Sequence, residues 1–180
     1  MLLESIYFVF PAYFANMAPV IAKKMKFLNS LNIPLDHGRR FMNKPLLGKH
    51  KTYRGLLLGV AFAIIAAALQ KILYPYPFFR SISITDYHDF LIIGFLLGIG
   101  AIIGDMIKSF FKRRLGILPG KRFVPFDQLD FIIGAYLALL LFYPRLLTIE
   151  LFLYSVIASF FLHIIVNHAA YYIGIRKEKW

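Results

Sequence analysis

Three aspartates close to a run of basic residues are the side chains of this sequence best suited to chemistry. Asp105 lies near the end of an apolar stretch, and Asp127 and Asp130 follow a short basic loop. Carboxylates are hard oxygen ligands, and Mg²⁺ typically takes one or two of them while substrate phosphates and water fill its other positions. The three aspartates therefore predict a Mg²⁺ site whose ligands also serve in catalysis.

Asp105 begins a polar stripe on a predicted helix. Positions i, i+3, i+4, i+7 and i+8 share one helical face, which places Lys108, Ser109, Lys112 and Arg113 beside it. An ionisable residue near the bilayer centre costs at least about 2.5 kcal/mol, so charges at membrane depth indicate function. We expect Lys108 to act in catalysis and the other three to bind substrate. A metal ion and cations together predict a nucleoside triphosphate or diphosphate site.

Both groups of acids also have a purely structural interpretation. Asp105 can pair with Lys108 or Lys112 while the basic side chains extend to the membrane surface. Asp127 and Asp130 follow Pro125 at the start of a predicted helix, where the helix dipole favours negative charge. These alternatives stay open from the sequence alone.

A second basic cluster precedes another predicted helix. Lys51, Thr52 and Arg54 lie just before Gly55, where backbone and hydroxyl donors at a helix N-terminus suit an anion. We expect these three side chains to bind substrate. The alternative is that their charge serves only membrane topology, which needs no more than an excess of Lys and Arg.

The composition shows what must position these residues. Of 180 residues, 59% are apolar or aromatic and 17% are charged, whereas soluble domains carry about 25% charged residues. This composition excludes a soluble globular protein. The absence of cysteine excludes disulfides, thiolate metal sites and a cysteine nucleophile.

Five apolar stretches are close to the length of about 20 residues that a helix needs to cross a bilayer. We therefore predict an all-α integral membrane protein, with one membrane domain over residues 1–180. The predicted helices cover about residues 3–22, 55–73, 90–113, 127–143 and 150–174, and the long loops cover residues 23–54 and 114–126. Glycines four apart, such as Gly100 and Gly104, predict close helix packing or a groove for a lipid chain.

Basic residues predict the orientation, because short loops rich in Lys and Arg stay in the cytoplasm. Residues 23–54 hold nine basic residues and one acid, and residues 108–122 hold six and none. The tail adds Arg176, Lys177 and Lys179 on the same side. We expect the N-terminus outside, the C-terminus and active site at the cytoplasmic face, and a multi-pass protein of the cell membrane. The net charge of +12 then indicates phosphate partners rather than nucleic acid.

The site residues resemble a known superfamily, the CTP-dependent phosphatidate cytidylyltransferases. The matching motifs are Gly104-Asp105-x-x-Lys108-Ser109, Lys112-Arg113, and Pro125 with Asp127-x-x-Asp130. Further motifs narrow the resemblance to the archaeal CDP-archaeol synthases: Pro11-Ala12-Tyr13 with Asn16, Pro34-Leu35-Asp36, Gly48-x-x-Lys51-Thr52-x-Arg54-Gly55, and His163 with Asn167. Bacterial relatives have a His-Gly-Gly stretch where this chain has residues 121–126, so the resemblance assigns that loop no role.

The resemblance implies transfer of a cytidylyl group from CTP to 2,3-bis-O-(geranylgeranyl)-sn-glycerol 1-phosphate, with Mg²⁺ as cofactor and release of pyrophosphate. The alternatives are a polyprenol or lipid kinase, an ion or phosphate transporter, and a structural membrane scaffold. A transporter would distribute its charges through several spans, whereas these gather at one face. A scaffold leaves the three aspartates unexplained. Both substrates and the membrane are expected partners, and the oligomeric state stays open.

Overall fold

The regular secondary structure is almost entirely helical in the computed structural model, which describes residues 1–25, 27–118 and 121–174. The basic tail residues Arg176, Lys177 and Lys179 lie outside the described residues. The α-helices of the described chain are α1 (Leu2–Phe8), α2 (Phe10–Met25), α3 (Tyr53–Leu73), α4 (Pro77–Ser81), α5 (Phe90–Arg114), α6 (Phe126–Leu140) and α7 (Ile149–Tyr172). Short 3₁₀ turns cover Asn29–Leu31 and Pro144–Leu146.

Three helices, α3, α5 and α7, are long and apolar enough to cross a membrane. A fourth candidate is the bent pair formed by α1 and the first part of α2, whose axes meet at 50°. Helix α6 has 15 residues, fewer than the roughly 20 that span a bilayer at right angles. The all-helical membrane class is therefore confirmed, and the fifth span stays a prediction.

The first predicted helix, residues 3–22, is interrupted at Val9. Pro11 explains the break, because proline lacks the N–H that would bond to the carbonyl of Tyr7 and its ring crowds that carbonyl. The side-chain amide of Gln70, buried on α3, donates to the Tyr7 oxygen instead. The bend thus replaces a lost backbone hydrogen bond with one between α3 and α1.

The first long loop contains a small hairpin that the all-α prediction missed. Strands β1 (Arg40–Phe41) and β2 (Lys44–Pro45) pair antiparallel through a two-residue turn. Both turn residues, Met42 and Asn43, have positive φ, as the tight turns of hairpins require. Arg40 and Phe41 follow no alternating apolar pattern, so the usual signal of a strand is absent from the sequence.

Helices α5 and α6 touch through their backbones at glycines. A Cβ built on Gly104 would lie 2.1 Å from the carbonyl oxygen of Asp130, and one on Gly134 would lie 2.2 Å from that of Gly100. Only glycine allows so close an approach, as in other small-residue helix contacts in membranes. The packing interpretation of Gly100 and Gly104 is therefore confirmed, and the contact brings Asp105 beside the helix that carries Asp130.

Gly104→Ala is expected to destabilise the protein by about 1–3 kcal/mol, the usual effect of forcing extra volume into a packed interior. The new methyl group has to push α6 away from α5, because the atom it meets is backbone and not a flexible side chain. Thermal unfolding of the detergent-purified variant measures the effect. Gly55→Ala is the control, since its Cβ would meet nothing closer than 3.4 Å. An unchanged melting temperature for Gly104→Ala would contradict the backbone contact.

Candidate active site

The ammonium group of Lys108 lies among all three predicted aspartates. Its Nζ is 3.1 Å from Oδ1 of Asp105, 3.0 Å from Oδ1 of Asp127 and 3.0 Å from Oδ2 of Asp130. Asp105 lies on α5 three residues before Lys108, whereas the other two come from the first turns of α6. The glycine contact between α5 and α6 therefore produces the convergence that the sequence predicts.

Two further lysines complete the charge balance of this cluster. Lys51, from the first loop, pairs with Oδ2 of Asp105. Lys112, one turn after Lys108 on α5, lies 3.0 and 2.8 Å from the two oxygens of Asp127. We call the six side chains the Asp-Lys cluster; its members are Lys51, Asp105, Lys108, Lys112, Asp127 and Asp130. Three carboxylates and three ammonium groups make the cluster neutral.

The aspartates differ in how fully they are bonded. Asp127 also accepts a 2.7 Å hydrogen bond from the backbone N–H of Phe123, so both its oxygens have donors. Asp130 is the most buried of the three, with its side chain 6% exposed. Its Oδ2 lies near Lys108, but among the described residues it has no hydrogen bond of good geometry. The Oδ2 atom of Asp130 is therefore held mainly by its ion pair with Lys108.

The donor set fits a hard divalent cation. Mg²⁺ usually needs only one or two protein carboxylates when a substrate supplies phosphate oxygens. Asp130 offers a buried oxygen whose described partner is the Lys108 ammonium group, and Asp105 lies on the facing helix. Within residues 1–25, 27–118 and 121–174, no three acidic or imidazole side chains form a ready-made metal cage, because Lys108 lies at the centre. An ion that binds here must therefore take the place of an ammonium group.

The remaining predicted site residues on α5 lie close to the cluster. Ser109 is buried one turn after Asp105 on the same face of the helix. Arg113 is half-buried, and in the described part of the chain its Nε has no hydrogen-bond partner. A buried guanidinium donor without an acceptor is suited to an anionic ligand.

Thr52 and Arg54 make hydrogen bonds that stabilise the fold. The Thr52 hydroxyl oxygen caps α3 by accepting a 3.2 Å hydrogen bond from the N–H of Gly55. The guanidinium of Arg54, which is 5% exposed overall, donates to Oδ1 of Asn29 at 2.8 Å and to Oδ1 of Asn32 at 3.0 Å. Arg54 thus ties α3 to the 3₁₀ turn that follows α2, and no described contact joins it to the Asp-Lys cluster.

Asp36 is an organising residue that belongs to the Pro34-Leu35-Asp36 motif but had no role assigned from the sequence. Its carboxylate accepts hydrogen bonds from the N–H groups of Gly38 at 3.0 Å, Leu47 at 2.9 Å and Gly48 at 3.0 Å. Burial tends to raise the pKa of Asp36, but these backbone donors outweigh it and lower the pKa below its ordinary value. Besides the motif, a second signal was that Asp36 is the only acid in residues 23–54.

The loop stabilised by Asp36 places Lys51 beside Asp105 of the cluster. Pro34 pairs with Thr52 in an isolated β-bridge, and the N–H of Leu35 donates to the carbonyl of Lys51 at 2.8 Å. The N–H of Tyr53 donates to the carbonyl of Ile33 at 3.1 Å. The backbone on both sides of Lys51 is therefore fixed before its side chain reaches Asp105.

Comparisons with known proteins identify the family of this chain. The family model described as CarS-like CDP-archaeol synthase matches residues 1–180. The CDP-archaeol synthase of Methanocaldococcus jannaschii is 34% identical over all of this chain and 98% of its own length, and that of Archaeoglobus fulgidus is 33% identical with the same coverage. A solved intramembrane enzyme for archaeal membrane lipids biosynthesis is 31% identical, with a TM-score of 0.74 over 93% of this chain and 94% of its own. This chain belongs to the CarS-like CDP-archaeol synthase family.

Proposed function

We propose that this protein transfers a cytidylyl group from CTP to 2,3-bis-O-(geranylgeranyl)-sn-glycerol 1-phosphate. The products are a CDP-archaeol-type lipid and pyrophosphate, within archaeal phospholipid biosynthesis. Membership of the family supports the reaction. The observation that carries it is the Asp-Lys cluster, in which acids suited to a metal and cations suited to phosphates meet at one end of a membrane bundle.

The proposed topology has five spans, with the N-terminus outside and the C-terminus in the cytoplasm. Helices α1 and α2 form the first span, and α6 forms the fourth despite its length. The long basic loop 23–54 supports this orientation. Lys51 links that loop to Asp105, so the same side would hold the active site.

The chemical step forms one bond and breaks one. An oxygen of the lipid phosphate attacks the α-phosphorus of CTP, and the bond from that phosphorus to the oxygen bridging the β-phosphorus breaks. The electron pair leaves with pyrophosphate. Because the attacking phosphate is already ionised, the step needs no strong general base. The main barrier is bringing two anions together and stabilising the charge that develops at phosphorus.

The neutral cluster is suited to exchanging partners when substrates arrive. Asp105, Asp127 and Asp130 would hold Mg²⁺, which when bound neutralises triphosphate charge and orients the leaving group. Lys108, Lys51 and Lys112, released from their carboxylates, would then pair with phosphate oxygens. Once paired with phosphate oxygens, these lysines would need little further reorganisation during the chemical step.

The other predicted residues complete the phosphate contacts. Arg113 would donate to the pyrophosphate portion, since its Nε has no acceptor within the described chain. Ser109 would donate a hydrogen bond from its hydroxyl, and Thr52 would do the same from the N-terminus of α3 while its oxygen keeps its capping bond. Arg54 would act by holding α3 in place.

Labelled CTP tests the reaction. The detergent-purified protein, incubated with Mg²⁺, lipid acceptor and CTP labelled at the α-phosphate, is expected to transfer the label to lipid. CTP labelled at the γ-phosphate is expected to leave lipid unlabelled. Transfer of the γ-label would identify a lipid kinase, and no transfer of either label, with uptake of phosphate or ions into proteoliposomes, would identify a transporter.

Arg54→Ala is expected to raise the KM for CTP or for the lipid phosphate, because the start of α3 loses its attachment to the preceding turn. Asn32→Ala removes one acceptor of the same guanidinium and is expected to shift the same KM by a smaller factor. Steady-state kinetics with each substrate varied separately measure both. If Arg54→Ala raises KM and Asn32→Ala has no effect, the result indicates that Arg54 contacts a substrate directly and does not act by anchoring α3. Unchanged kinetics for both would leave Arg54 with a topology role only.

A further inference from the structure

Arg114, the last residue of α5, makes a set of contacts with the hairpin in the first loop. Its guanidinium donates to the backbone oxygen of Phe41 and, at 2.8 Å, to that of Pro45. The hairpin also donates a hydrogen bond to α5: Nζ of Lys44 donates to the carbonyl of Arg114 at 2.8 Å. The two segments are far apart in sequence, so the contact closes a large loop.

Aromatic rings enclose the same guanidinium. It lies 5.3 Å from the ring centre of Phe41 and 4.6 Å from that of Phe110, at distances typical of cation–π contacts. The two rings are 6.2 Å apart. A planar group with several fixed donors can bond two carbonyls while stacking on a ring, which a lysine cannot reproduce.

The first loop thus meets α5 at two points. One is the hairpin at Arg114, and the other is Lys51 at Asp105, nine residues earlier and about 13 Å along the helix. Between them the loop is continuous: the N–H of Leu46 bonds to the carbonyl of Arg39, and Asp36 fixes Leu47. We therefore expect a shift of the hairpin to move Lys51.

We infer that Arg114 is a positioning residue for cytidylyl transfer: it holds the first loop against α5 so that Lys51 reaches the phosphate site. This inference rests on the proposed function. Arg114 touches no member of the Asp-Lys cluster in the described structure, so its effect must pass through the loop. Misplacing a binding group by about 1 Å can cost about 100-fold in rate.

Arg114→Ala is therefore expected to lower kcat/KM for CTP by about 10- to 100-fold. Arg40→Ala is the matched control, because Arg40 lies in the same hairpin and carries the same charge, and its backbone pairing with Pro45 is kept. In a Lys51→Met background, Arg114→Ala is expected to have an effect of less than about twofold, since coupled residues lose their separate effects. An equal loss in both backgrounds would overturn the inference.

The position of the hairpin supplies a readout independent of activity. The chain has no cysteine, so Met42→Cys at the hairpin turn and Leu91→Cys near the start of α5 accept spin labels at two defined places. We expect the distance distribution between the labels to broaden in Arg114→Ala and to stay narrow in Arg40→Ala. An unchanged distribution in Arg114→Ala would refute the positioning role.

A second variant tests the contact from the other side. Lys44→Met removes the bond to the Arg114 carbonyl without altering α5, and it is expected to broaden the same distribution. If Arg114→Ala does not fold, Lys44→Met decides the inference, and a narrow distribution in that variant would overturn it. Failure of the proposed function is a separate result, because it appears as wild-type protein that leaves the α-phosphate label off lipid.

Discussion

Asp130→Asn is expected to lower cytidylyl transfer by about 10³-fold or more while leaving a folded membrane protein. Loss of one group that stabilises transition-state charge typically costs 10²- to 10³-fold, and loss of a metal ligand also removes the charge of the ion. The substitution keeps the size of the side chain, so the backbone contact between Gly104 and Asp130 is undisturbed. Turnover of CTP and lipid acceptor by the purified variant measures the effect.

Asp89→Asn provides the matched control for that experiment. Asp89 precedes α5 at its other end, about 24 Å along the helix from Asp105, where its carboxylate accepts a 3.0 Å hydrogen bond from Tyr143. Its substitution is expected to change turnover by less than about twofold, as for a surface position away from the site. Wild-type turnover by Asp130→Asn would remove the metal assignment of this carboxylate.

Lys108→Met is expected to abolish transfer and, at the same time, to strengthen metal binding by the protein without nucleotide. Lys108 neutralises Asp105, Asp127 and Asp130 together, so its loss leaves like charges close to one another. A divalent cation then no longer competes with an ammonium group for those oxygens. Titration with Mn²⁺, followed by electron paramagnetic resonance, measures the change in affinity.

The stability of Lys108→Met is expected to depend on metal. Removing one partner of a buried ion pair destabilises by about 3–5 kcal/mol, and a bound ion that favours the folded state recovers part of that loss. Melting temperatures with and without Mg²⁺ measure this dependence. Lys71→Met, which removes a lysine lying over the ring of Phe90, is the control. If Lys108→Met binds Mn²⁺ with the wild-type affinity and its melting temperature does not depend on metal, the proposal that a metal ion takes the place of the Lys108 ammonium group is contradicted.

The site could be predicted where its residues follow short-range rules. Asp105 and Lys108 are three apart on one helix, and Asp127 and Asp130 are three apart on the next, so each pair shares a face whatever the rest of the fold does. The apolar composition similarly predicts the membrane class from the sequence alone. The two pairs are brought together by the close approach of α5 and α6 at Gly104. The spacing of the glycines predicts close packing but does not identify α6 as the partner helix.

The roles of Arg54 and Arg114 depend on contacts between distant parts of the chain. The sequence places Arg54 beside Lys51, where its charge suits an anion, but Asn29 and Asn32 turn its guanidinium towards the preceding loop. Arg114 is the last of three consecutive basic residues on α5, so the sequence does not distinguish its role from those of Lys112 and Arg113. Only the folded hairpin distinguishes it, because the carbonyl oxygens that it binds belong to Phe41 and Pro45.

The break at Val9 was not predicted, although its cause lies in the sequence. Pro11 is visible in the sequence and excludes one backbone hydrogen bond, yet prolines within helices of membrane proteins are tolerated when other groups satisfy the freed carbonyl. Gln70 supplies that donor from α3, about sixty residues away. The prediction of one helix over residues 3–22 therefore missed both the break and the bend of 50°.

Anomalous diffraction from crystals grown with Mn²⁺ and a non-hydrolysable CTP analogue tests the metal site most directly. We expect a manganese peak between α5 and α6, bound to carboxylate oxygens of Asp105, Asp127 and Asp130 and to phosphate oxygens, at distances of about 2.0–2.2 Å. Nζ of Lys108 is expected to lie on phosphate rather than among the three aspartates. A peak bound only by phosphates, with Lys108 still paired to Asp130, would contradict the assignment of these aspartates as metal ligands.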